Sequence, residues 1–394
     1  MKSCNVVAAL VFGLAASATC ASAELAVSAN DGKQVRPGDV PAGPTPDSVS
    51  VIDLGHYPPK VLGSVNAPAS MIGPPASVAI APDLSFAIVT GSQKPNPADP
   101  NKPIPNDAVS VISLKSPAHP QIVQSVTAGP GASGVSINKA GTLALVASTG
   151  DDTISVFSIA DSRLTPAGKV QLDAKSRPTD VVLTPGGHTA WVVAQGASKL
   201  VELSIKGNQV AKTGAEIASG RMPYGAVITS DGRYIINTNL GGAMDTPAPV
   251  RGSHGPHDGT VSVSDLQSHK VVTSVVVGPT PEHVALSADG KYLEVTVANG
   301  SASTKADPTY NTVFGLMKVF RVDGSSLAPV ATTNTGHWCQ GATWSDDGHT
   351  ILLQCAAERE IEVWRFDGAS LKRDTAATLS FQSRPGAIAT FKSR

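Results

Sequence analysis

Ionic and aromatic side chains are scarce in this chain of 394 residues: charged residues make up 15% and aromatics 4%. Lys and Arg number 30 against 31 Asp and Glu. That balance lacks the basic excess that grips a phosphate backbone, and it argues against DNA as a partner. Familiar catalytic signatures are absent as well. There is no G-x-S-x-G elbow, no Walker loop, no H-E-x-x-H and no C-x-x-C-H haem site. One markedly apolar segment occurs, at 6–16, and it is too short to span a bilayer.

That segment follows Met1-Lys2 and leads to Ala21-Ser22-Ala23 before Glu24. A basic start, a short apolar stretch and a small-x-small end describe a secretory leader over residues 1–23. The expected product is periplasmic or secreted, with no transmembrane segment once the leader is removed. Cys20 is preceded by Ser17-Ala18-Thr19, without the leucine of a lipobox, so a soluble product is expected. Beyond the leader only Cys339 and Cys355 remain. An even count in an exported protein favours a disulfide between them, with free thiols or a thiolate metal ligand as alternatives.

What the chain has in quantity is glycine (37) and proline (30), the punctuation of many short strands. A turn recurs at Asp83-Leu84, Ala140-Gly141, Gly186-Gly187, Asp231-Gly232, Asp289-Gly290 and Asp347-Gly348. Its last residues are spaced 57, 46, 45, 58 and 58 apart. A period of about 45 residues with several strands per unit is the mark of a β-propeller. Seven inner strands are expected at 77–81, 134–138, 180–184, 225–230, 283–287, 341–345 and 386–391. Seven alternating third strands match them, from 48–54 to 360–366. The last inner strand has no partner after it, and Leu25-Ala26-Val27-Ser28 has none before it. Residues 24–394 therefore read as one all-β domain. It is a seven-bladed propeller of four antiparallel strands per blade, closed by the C-terminal inner strand joining the N-terminal strands.

The segment 259–296 carries Gly259-Thr260-Val261-Ser262-Val263-Ser264-Asp265 and then Gly278-Pro279-Thr280-Pro281-Glu282-His283-Val284-Ala285-Leu286-Ser287-Ala288-Asp289-Gly290. It resembles the repeat of the YVTN family of β-propellers, which includes YncE-like periplasmic proteins and lies near the lactonase-type propellers. Looser copies cover almost all of the chain after the leader. The resemblance implies an exported seven-bladed ring. It implies either a binding protein or assembly subunit, or, in the lactonase branch, a sugar-lactone hydrolase.

Propeller topology puts second-to-third and fourth-to-first strand connections on one face, here called the top. Four long connections fall there, at 30–47, 91–107, 241–259 and 299–315, where a rigid scaffold usually carries binding. His254, His257, His283 and His337 belong to the same face. A divalent transition metal is one candidate cofactor, with His254, His257, Asp258 and His283 as ligands. Arg177, Arg221 and Arg384 each lie close before an inner strand and are expected to converge on the channel for an anion. Tyr224, Asp180, Trp338 and Gln340 are expected to add hydrogen bonds and a stacking surface. The first reading is a monomeric scaffold binding a small anionic ligand or a partner protein at the top face. The alternative is a lactonase or lyase on an anionic sugar or lactone. There His283 or His337 is the base, Glu282 assists and the arginines stabilise developing charge.

Because the last inner strand closes the ring, truncation after Ser383 should destabilise every blade. Calorimetry of the shortened chain is expected to show no cooperative transition near that of the full chain.

Overall fold

A computed structural model describes residues 24–71, 73–99, 102–242 and 258–392. Seven antiparallel sheets form a ring of blades. Their inner strands, blade 1 to blade 7, are Arg384–Thr390, Val78–Ile80, Ala132–Ile137, Pro178–Leu183, Pro223–Ile228, Pro281–Leu286 and Cys339–Trp344. Blade 1 takes its other three strands from Leu25–Asp31, Ser48–Asp53 and Lys60–Asn66. Val27 faces Ala389 and Ser28 faces Ile388, so the two ends of the chain share one ladder, as expected. Among the described residues no helix is long and apolar enough to cross a membrane.

The alternating strands sort their side chains into the gaps between blades. Leu25, Val27 and Ala29 pack on Val78, Ile80 and Val89 of blade 2. Ala26 and Ile388 point the other way, onto Leu352, Ile361 and Val363 of blade 7. Each gap has its own apolar cluster, so the core is a ring of layers rather than one centre. The marker turns between first and second strands all use a left-handed residue. Gly141, Gly187, Gly232, Gly290 and Gly348 have φ of 68 to 71°, and Leu84 stands at 58° where the others have glycine. Cys339 and Cys355 face each other across the first hairpin of blade 7 and form a disulfide.

In six blades the inner strand starts two residues earlier than the sequence pattern suggests. Pro178, Pro223 and Pro281 open their strands, a position where the missing N–H costs no ladder bond. A bulge follows in each, as in blades 1, 3 and 7. In blades 3, 5 and 7 an amide near the bulge turns toward the preceding blade. Val135 N–H donates to Ala76 O at 3.1 Å. Ala226 N–H donates to Asp180 Oδ2 at 3.2 Å, and Ala342 N–H to His283 Nδ1 at 3.3 Å. Asp180 and His283 are thus pins between blades 4 and 5 and between blades 6 and 7.

Several carboxyl groups are buried in these layers. Glu294, fully buried on the second strand of blade 6, accepts from Thr296 Oγ1 at 2.8 Å, while its Oε2 has no partner. Burial pushes its carboxyl up to about 8, against the opposing Thr296 bond. Folding therefore retains a proton that the unfolded chain releases near the ordinary value of 4.5. The stability this gives is complete below that value and lost as pH rises through about 8. Glu294→Gln is expected to flatten this loss and to raise the melting temperature at pH 8 by roughly 2–4 °C. Calorimetry at pH 5 and pH 8 checks it; an unchanged slope would clear Glu294 of the effect.

Candidate active-site and binding face

The top of the channel is built by a backbone feature repeated round the ring. The residue before the inner strand is left-handed in blades 3 to 7: Gly131 at 75°, Arg177 at 44°, Met222 at 53°, Thr280 at 57° and Trp338 at 51°. For the four non-glycines this costs about 1–2 kcal/mol each, which the ring geometry imposes. Arg177 and Trp338 are equivalent by this measure, whereas Arg221 lies one residue outside the series, where Met222 takes the position.

Just inside this rim, Tyr224, Glu282 and Gln340 come together. Gln340 Nε2 donates to Glu282 Oε2 at 3.1 Å, and both residues are buried. Burial pushes the Glu282 carboxyl up to about 7, opposed by the Gln340 bond. Burial, then the charges of Glu282 and Asp180, push the Tyr224 hydroxyl well above its ordinary value. Above them lies Gly73, from the connection into blade 2. A Cβ there would stand 3.0 Å from the Tyr224 hydroxyl and 3.4 Å from Gln340 Nε2. A segment from blade 2 thus reaches across to blades 5 and 7 and covers the upper channel. Its Met71 and Ala76 are buried.

The two histidines offered as general bases have other tasks. The lone pair of His283 on Nδ1 receives the Ala342 N–H, which places the proton of the neutral ring on Nε2. His337 is buried between two acceptors: Nδ1 lies 2.5 Å from Glu358 Oε1 and Nε2 lies 2.5 Å from Tyr310 O. Both nitrogens must carry hydrogen to satisfy them, so the ring is an imidazolium with no lone pair for a substrate. Burial alone would lower its pKa, but Glu358 outweighs burial and raises it. Tyr310 stacks on the ring at 3.8 Å and donates its hydroxyl to Glu358 at 3.0 Å. The connection 299–315 is thereby fastened onto blade 7.

The arginines do not gather into one cationic site. Arg384 is 2% exposed, ion-paired with Asp39 and donating to Ala356 O at 2.7 Å. Arg359 Nη2 approaches the same Asp39 oxygen at 3.5 Å. Burial would raise Asp39, yet Arg384, the Arg36 N–H and Arg359 together hold its carboxyl below the usual range. The Arg36 guanidinium lies 4.0 Å over the Trp338 ring, which is buried rather than presented for stacking. Arg177 and Arg221 are exposed, on the connections into blades 4 and 5.

His254 and His257 lie outside the described residues. Asp258 is described, and its charge acts on Lys318, whose pKa burial lowers. Among the described residues no group of three or more His, Cys, Asp or Glu could hold a metal ion. Asp39, Glu358, Tyr310 and the Gly73 segment escaped the sequence reading. Only the last left a signal: 67–77 is rich in Ala and Pro, with Met71 and Ile72, where a surface connection is usually polar.

No family model matches the chain. It is 30% identical over 108 residues to Antigen Lp49 of Leptospira interrogans, covering 27% of this chain and 23% of that protein. The chain thus spans less than a quarter of that relative. Solved structures match much further along the chain. The periplasmic gluconolactonase of Pseudomonas aeruginosa superposes with a TM-score of 0.68 at 15% identity, over 94% of this chain and 99% of its own. A putative 6-phosphogluconolactonase from Bacteroides uniformis gives 0.67 at 15%, over 94% and 100%. A functionally unknown protein from Desulfotomaculum acetoxidans gives 0.66 at 12%, over 94% and 100%. At these identities the likeness establishes the seven-bladed fold, with lactonase-like propellers among its structural neighbours.

The geometry separates two kinds of polar group: those fastening loops and blades, and the Tyr224, Glu282 and Gln340 trio beneath Gly73. For the first kind, Glu358→Gln should drop the His337 pKa by about one unit or more, since a neutral amide cannot support the imidazolium. Histidine ring shifts followed by NMR against pH measure this. An unmoved titration would show that Glu358 does not hold the charge.

Proposed function

We propose that this chain is an exported, YncE-like propeller that binds a partner protein or a small anionic ligand through its top face, without catalysing a reaction. One observation carries the reading. The connection 32–47 is anchored at Asp39 by Arg384 and Arg359, yet it presents Val40 at 81% and Val35 at 41% exposure. An apolar tip on a fastened loop loses little entropy on binding, which is the economy a recognition surface needs. Exposed Arg177 and Arg221 offer complementary charge for an acidic partner or ligand. The commitment of His283 and His337 to internal bonds supports the same reading, as does the repeat at 259–296.

A second reading has its own support. Glu282, with a carboxyl near 7, sits beside Gln340 and Tyr224 at the channel, and lactonases occur among the structural neighbours. A carboxyl titrating there can take or give a proton at neutral pH.

A photo-crosslinking residue at position 40 should trap a discrete adduct in the exported compartment of the producing cell. Arg221→Glu or Val35→Glu should reduce that adduct at unchanged melting temperature. No adduct, together with gluconolactone hydrolysis that Glu282→Gln lowers about 100-fold, would replace the first reading with the second.

A further inference from the structure

The channel changes character along its length. Its upper end is polar and covered by the Gly73 segment. Its lower end is an apolar cavity of about 290 Å³, walled by Ile80, Val182, Val227, Leu286 and Phe391. The first-to-second strand turns rim it through Pro185, Ala288 and Gly290, so it opens on the bottom face. The volume lies near the lower limit of small-molecule sites, roughly 300–1,000 Å³. No Asp or Glu contributes to the lining, while two lysines do, Lys139 and Lys392. Lys392 is ion-paired with Asp346 at 2.5 Å. Lys139 is exposed and makes no ion pair among the described residues.

We infer that this blind lower channel is a binding site for an amphipathic anion, an unbranched aliphatic carboxylate. The chain would fill the space between the inner strands and the carboxylate would meet Lys139 at the rim. The shape argues for a slim ligand entering end-on, since the walls are the inner strands of a closed ring. The hydroxyl groups of Ser136, Thr184 and Ser287 in the lining already donate to Val181 O, Thr189 O and Asp289 Oδ1, so recognition of the carboxylate falls to Lys139. The site lies on the face opposite the long loops and is independent of what they bind.

Titration calorimetry with hexanoate, octanoate and decanoate tests this on the full chain after its leader. Saturable one-to-one binding is expected. Each added methylene should tighten it roughly fourfold until the cavity is full. Lys139→Glu, a surface change, should weaken decanoate at least tenfold and leave decanol unchanged. Ala288→Trp, which plugs the mouth, should abolish both at unchanged melting temperature. Absence of saturable binding below the micellar range overturns the proposal, as does binding that both variants leave intact. Equal binding of a decyl ammonium cation by the native protein overturns the assignment of an anion. If Ala288→Trp fails to fold, the chain-length series and Lys139→Glu still decide.

Discussion

Every blade depends on one ladder that joins the two ends of the chain. Ala26, Val27, Ser28 and Ala29 face Thr390, Ala389, Ile388 and Ala387, and each pair brings together residues more than 350 positions apart. The entropic cost of so large a loop grows only logarithmically with its length, so a short ladder suffices to close it. Its effect is not local. Residues of blade 1 contribute to two apolar layers, one against blade 2 and one against blade 7. Opening the ladder strips both, and each neighbour then loses one of its two supports. Gln354 reinforces the seam from blade 7 by donating to Ser28 Oγ and Ala387 O at 2.8 and 2.9 Å.

At the top face the same constraint acts through charge. A closed ring leaves its connections to find partners above the mouth, and buried ionic groups must be paired there. Asp39 between Arg384 and Arg359, and Glu358 between His337 and Tyr310, meet that demand. The residue types that suggest catalysis in a sequence are also the ones able to fasten loops. Here fastening accounts for Arg384, His337 and the Nδ1 of His283.

The ring was legible because its grammar is local. The turn residues, the alternation of the third strands and the unpartnered segment at 386–391 each report on a few neighbours in sequence, and seven repeats reinforce one another. The Cys339 to Cys355 pairing was legible for the same reason, since one hairpin separates them. The top face was not. Asp39 meets Arg384 across 345 positions, and nothing near either residue marks the other. The reach of Gly73 to Tyr224 and Gln340 depends on the diameter of the ring, a quantity that no local pattern encodes. Bulges accompany the earlier inner-strand starts in six blades, and in three of these a proline opens the strand, where a first N–H has no ladder partner to lose.

Glu24 lies beside the end of the inner strand of blade 1, where the other blades carry their first turn. Its carbonyl accepts from Leu54 N–H at 2.9 Å and its carboxylate from Asp346 N–H at 2.6 Å, both on the bottom face. Glu24 therefore lies on the same face as the mouth of the lower channel, away from the long loops. A ring immobilised through Glu24 would stand with its long loops outward. The mouth of the lower channel would then face the support.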